Sequence, residues 1–187
     1  MTPTREEAWE LVVRGTESVS LRRHMLGVEA AMRAYAVHFG EDPDRWGLVG
    51  LIHDVDYESG PDPSQHPLRG IQMLRELGWP EEVLTDIASH AEYLHVARDT
   101  RLRKALYAVD EMSGFIIACA LVKPDRALSS VDPAGVRRKM KDKAFARGVH
   151  RETLIAGAQD LGVDFDFHVA FVRDALSGCA AELGLNP

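Results

Sequence analysis

Residues 165–172 read FDFHVAFV, and the fold class turns on how this stretch is folded. Phe165, Phe167, Val169 and Phe171 alternate with more polar neighbours, as in a strand. Phe165, Val169, Val172, Leu176 and Cys179 equally form one helical stripe. The stripe is too long for an ordinary strand, and no second alternating stretch offers a partner. The reading is therefore a helix over 165–184.

Outward from this stretch, apolar residues recur at three and four, and the breaks coincide with Gly, Pro and Asp rather than with hairpin turns. The expected fold class is all-α, a helical bundle of about eight or nine helices. Thr4-Arg5-Glu6-Glu7 has the form of a capping box. Asp42-Pro43 and Asp132-Pro133 each set a good N-cap residue before a proline suited to the first helical position. Helices are expected from near 4, 43 and 133, and over 20–39, 67–77, 80–95, 102–121, 151–161 and 165–184. The loops at 55–65 and 122–132 are too short to link domains. A single domain over 1–187 follows, with its site-bearing core at about 20–121 and C-terminal helices at about 133–184 packing on it.

Composition agrees, since 187 residues with 45% hydrophobic and 27% charged content suit one sizeable core. There is no apolar run of eighteen residues, and the N-terminus MTPTREEAWELVV turns amphipathic and acidic at once. A soluble, cytoplasmic chain with no membrane partner is expected. Cys119 and Cys179 lie far apart without a CxxC or Cys/His neighbour, so both read as reduced core thiols. A net charge of −7 argues against binding a nucleic-acid polymer, whose affinity would come from Lys and Arg on phosphates. A small anion in a local basic pocket stays allowed, and the sequence sets no oligomeric state.

The chemistry concentrates in LIHDVDYES, residues 51–59, where apolar Leu51 and Ile52 run straight into His53 and Asp54. On a helix ending at 54, Trp46, Val49 and His53 share one stripe, which turns His53 toward the core. His24 falls in line with Leu21, Val28 and Ala31, and His90 with Val83, Ile87 and Leu94. Asp110 lies between Leu106, Ser113 and Ile117, where an acid is costly unless a partner charge or a metal meets it. Singly, such residues fit a hydrogen-bonded core histidine or an Asp–Arg pair. Together, inward imidazoles and carboxylates on separate helices suit a divalent transition metal.

The order His24, His53-Asp54, Asp110 resembles the HD superfamily of metal-dependent phosphohydrolases, named for that adjacent pair. His66 in SQHPLRG and His90 in IASHAEY stand where its two-metal branches carry further ligands, as in HD-type diadenosine-tetraphosphate hydrolases and cyclic-dinucleotide phosphodiesterases. AVDEMSGFIIACALVKP at 108–124 and RRKMKDKAFARGVHRETL at 137–154 look like a group of bacterial predicted HD hydrolases, so the likeness runs from about 20 to 175.

The resemblance implies that His24, His53, Asp54 and Asp110 hold a first metal, His66 and His90 a second, and that Asp54 bridges. The cofactor would be one or two ions of Mn, Fe, Co, Ni or Zn, with His53 and Asp54 at the catalytic centre. The implied reaction is hydrolysis of a phosphate ester in a nucleotide or other small phosphorylated substrate by metal-activated water. Two alternatives stay open: an HD-type di-iron oxygenase, which uses the same four-His, two-Asp set, and a non-catalytic nucleotide-binding module. The third position after Asp54, a Glu in HD-type nucleotidases and a Lys in other branches, is Tyr57 here, so no proton donor is assigned. Asp56, Glu58 and Glu92 are candidates to orient imidazoles or move protons. His38, His95, His150 and His168 stay outside the set. The dense basic run at 137–143 offers Lys139, Lys141 and Lys143 to a substrate phosphate, or else forms a solvated helix face.

Overall fold

The structure, a computed structural model, describes residues 3–60 and 62–187. Met1, Thr2 and Pro61 belong to the expected domain, and Pro61 to the expected loop at 55–65, but they lie outside the described residues. Among the described residues ten α-helices follow in order. They are α1 Arg5–Gly15, α2 Val19–Phe39, α3 Pro43–Ile52, α4 Leu68–Glu76 and α5 Glu81–Ala88, then α6 Arg101–Leu121, α7 Pro133–Met140, α8 Arg151–Leu161, α9 Phe165–Ser177 and α10 Ala180–Leu183. Among the described residues there is no strand, only an isolated bridge between Ala127 and Asn186.

The polar ends expected from sequence do their work. Thr4 and Glu7 close a reciprocal capping box on α1. The Asp42 and Asp132 carboxylates accept from first-turn amides of α3 and α7, each with proline just inside the helix. Asp164 caps α9 in the same way and settles the ambiguous stretch. Phe165, His168, Val169, Val172 and Leu176 are buried at helical spacing, whereas Phe167, which a strand would have paired with them, is exposed. The expected helix over 165–184 breaks at Gly178 and Cys179 into α9 and α10. The one expected over 80–95 ends at Ala88, and a short 3₁₀ turn at Glu92–Leu94 follows it.

The long helices α2 and α6 form the frame, with α3 along α2, α8 along α6 and α9 against both. Gly50 permits the tight α2–α3 approach, since a Cβ there would lie 3.1 Å from the Val28 carbonyl oxygen. One continuous apolar core joins residues from Ala8 to Leu185. Two buried acids inside the frame are met by arginines: Glu29 by Arg5 and Arg33, and Asp86 by Arg45 and Arg103. No helix among the described residues is long and apolar enough to cross a membrane.

Candidate metal centre

Five segments deliver the site. His24 comes from α2, His53 and Asp54 from the end of α3, His66 and His90 from the turns before α4 and after α5, and Asp110 from the middle of α6. His53 is the C-cap residue of α3, and its Nδ1 lies 2.8 Å from the Gly50 carbonyl oxygen. A carbonyl can only accept, so Nδ1 carries a proton, and the neutral ring presents its lone pair at Nε2. That Nε2 is buried and has no hydrogen-bond partner.

The same device recurs twice. His90 Nδ1 donates to the Ile87 carbonyl oxygen at 2.6 Å, and His66 Nδ1 donates to Asp56 Oδ1 at 2.7 Å. Asp56 is itself buried and accepts from the Gly70 amide at 2.8 Å, a contact for which a Cβ on residue 70 would stand only 3.0 Å from the carboxylate carbon. Imidazoles whose Nδ1–H is held by a carbonyl or carboxylate are oriented as metal ligands are. His66 Nε2 and His90 Nε2 lie 3.1 Å apart. With both Nδ1 protons committed, these face lone pair to lone pair, so a cation or a proton must lie between them.

The carboxylates sit at the centre of these lone pairs. Asp54 Oδ1 is 3.3 Å from His53 Nε2, 3.2 Å from His66 Nε2 and 3.6 Å from His90 Nε2, while Asp54 Oδ2 faces His24 Nε2 at 3.7 Å. Asp110 Oδ1 lies 3.0 Å from His24 Nε2 and 3.5 Å from His53 Nε2. Ligand atoms of His24, His53 and Asp54 lie within 4.8 Å of one another, as do those of Asp54, His66 and His90. Each triad can take an ion, and they share Asp54. Neutral nitrogens with anionic oxygens form a donor set suited to a divalent transition metal, and His53 Nε2, buried without a hydrogen-bond partner, is placed to join it.

Charge in the site follows the same geometry. Burial would raise the Asp54 and Asp110 carboxyls, but His53 with His66 at the first, and His53 with His24 at the second, hold both below the usual carboxylate range. Burial would lower His53 and His66, but Asp54 with Asp110, and Asp54 with Asp56, lift them to about 9. Burial, with His53 beside it, lowers His90. Protons gathered on the imidazoles supply the positive charge that a metal ion would bring.

The cluster opens into a cavity of about 760 Å³. Tyr57, Tyr93, Tyr107, Glu92, Glu111 and His150 stand on its wall, and no Lys or Arg does among the described residues. Tyr107 donates to Glu92 at 2.6 Å, and Glu58 caps the start of α2 by accepting from the Glu17 and Ser18 amides. Lys139 lines a separate cavity, and Lys141 and Lys143 are exposed; the structure does not bring the three to the cluster. The wall residues Tyr107 and Glu111 carried a signal, being three residues before and one after Asp110 on α6. Tyr93 and His150 carried none, because only tertiary packing brings their loops to the site. His168, left outside the set, is a core residue between Tyr35 and the Ala108 carbonyl.

A family model described as the HD domain matches residues 21–120, more than half of the chain, which therefore belongs to that family. Among curated proteins and solved structures no match is found.

Proposed function

We propose that this member of the HD domain family is a metal-dependent phosphohydrolase acting on a small phosphorylated molecule, with a nucleotide as one candidate. One observation carries the reading: imidazole lone pairs, fixed from behind by Gly50, Asp56 and Ile87, converge on two carboxylates at the floor of a 760 Å³ cavity. His24, His53, Asp54 and Asp110 would hold one ion, and His66 and His90 a second, with Asp54 offering an oxygen to each. Ions of this kind acidify water and neutralise charge building on phosphoryl oxygens.

The remaining work falls to the chain's own groups. Asp56 holds the His66 ring in one tautomer and orientation. With no Lys or Arg on the wall among the described residues, a phosphate finds positive charge only at the cluster, which draws it to the floor. Tyr57 and Tyr93 line the volume left for the organic part. Two unpaired thiols agree with a cytoplasmic setting, and the shared core agrees with a single domain over 1–187.

Elemental analysis of protein made in metal-replete medium, followed by a screen of phosphomonoesters, phosphodiesters and nucleotides, tests the proposal. One to two equivalents of Mn, Fe, Co, Ni or Zn and metal-dependent phosphate release are expected. Less than about a tenth of an equivalent, with no uptake on titration, sinks it. Oxygen uptake in place of phosphate release by the iron-loaded protein would move the assignment to the oxygenase class. His66→Ala and His90→Ala should each lower stoichiometry from about two toward one with helical circular dichroism unchanged. Unchanged stoichiometry in both would leave a one-metal site.

A further inference from the structure

The basic run that the metal cavity does not use faces a second cavity, of about 450 Å³, between the end of α6 and α7. Its wall includes Cys119 and Val131, both nearly inaccessible, and the exposed Val122. Burial raises the Cys119 thiol to about 11 even though the Lys139 and Lys123 ammoniums act on it in the opposite sense, so the wall around it is apolar and both cations lie near it. Lys123, Arg138 and Lys139 line the same space.

None of these three cations has a carboxylate within 4.0 Å among the described residues, although the protein as a whole is acidic. The two acids on the wall are engaged elsewhere. Asp132 accepts from the Gly135 amide as the cap of α7, and Asp142 accepts from the Ala144 amide. Lys139 is held with its Nζ 4.6 Å from the centre of the Phe145 ring, which fixes its stem without neutralising its charge. Three cations against two carboxylates leave one net positive charge beside an apolar wall. The volume falls in the lower half of the range for small-molecule sites, about 300–1,000 Å³.

We infer that this second cavity binds a small amphipathic anion, one negatively charged head on a short apolar body, with Lys123 and Arg138 meeting the head and Cys119, Val122 and Val131 meeting the body. The site is separate from the metal centre. Cys119 lies nine residues beyond Asp110 on α6, about 13 Å along the helix axis. The inference does not depend on the phosphohydrolase reading.

Hexanesulfonate is a suitable probe, since it cannot be hydrolysed as a phosphate ester. Titrated into the isotope-labelled full chain and followed by amide chemical shifts, it should saturate with shifts centred on residues 119–124 and 131–139. Affinity should fall at least tenfold in Lys123→Gln/Arg138→Gln, two surface changes away from the core, and hexyltrimethylammonium should not bind there. Wild-type affinity in the double variant, equal binding of the cation, or shifts centred on His24, His53 and Asp54 would each overturn the assignment.

Discussion

Two regions of the bundle bury carboxylates, and they balance them in opposite ways. Asp86, with its side chain 3% exposed, is met by Arg45 at 2.5 Å and by Arg103 at 2.8 Å. Guanidinium is always charged and offers only donors, so that pairing is complete within the protein. Asp54 and Asp110 meet imidazoles alone, which bring charge when protonated and a lone pair when not. The first arrangement is closed. The second can exchange its protons for a metal ion, and it is the one that opens into a large cavity. Under the proposed function, the identity of its partner is what distinguishes a structural buried acid from a functional one.

The largest effect expected from this contrast is on chemistry. Asp54→Ala removes the carboxylate shared by both triads, and phosphate release should fall on the order of 1,000-fold, about 4 kcal/mol of transition-state stabilisation. Helical circular dichroism should persist. Full activity in a metal-free Asp54→Ala protein would break the comparison, because the imidazole-bound acid would then be structural too.

Asp86→Ala should act on the other quantity. It leaves two half-buried guanidiniums without their carboxylate, which should cost about 2–4 kcal/mol in urea unfolding, the lower part of the range reflecting the solvent that reaches Arg45. Turnover and metal content per folded molecule should not change. Loss of metal with unchanged unfolding would mean that the arginine-bound acid belongs to the site.

The sequence makes the contrast half legible. His24, His53 and Asp110 fall on apolar helical stripes, so their inward direction can be read from spacing, but whether Arg or His waits opposite is a tertiary fact. His90 is readable as a residue and not as a position. The expected helix stops at Ala88, with Ser89 Oγ and His90 Nδ1 bonding the Asp86 and Ile87 carbonyls that mark its last turn. Side-chain capping of that kind leaves no mark as plain as a C-terminal glycine. The basic run shows a related limit: charge density is visible along the chain, whereas the cavity that Lys139 faces depends on where α7 packs against α6. Cys179 fits the stripe of the expected C-terminal helix, yet the helix breaks beside it.

Imidazoles themselves allow the smallest and most specific test, because the core holds one with no carboxylate beside it. His168 donates from Nε2 to the Ala108 carbonyl at 3.0 Å, and its Nδ1 accepts from the Tyr35 hydroxyl at 2.6 Å, so only the neutral ring fits. Burial accordingly lowers it from 6.5 to about 4, whereas the carboxylates around His53 raise that ring to about 9. The signs of the linked stability changes are opposite. For His168 the unfolded chain takes up a proton near pH 6.5 and the native protein does so only near 4. Its contribution is therefore complete above pH 6.5 and is lost as pH falls toward 4. Between pH 7 and 5.5 the loss should be about 1 kcal/mol. The difference between wild type and His168→Gln isolates this group, since the other histidines titrate alike in both proteins. Unfolding free energies of wild type and His168→Gln at the two pH values should differ in slope by that amount, with the variant flatter. Equal slopes would show that His168 titrates normally, and burial without a carboxylate would then not be what separates core imidazoles from those of the site.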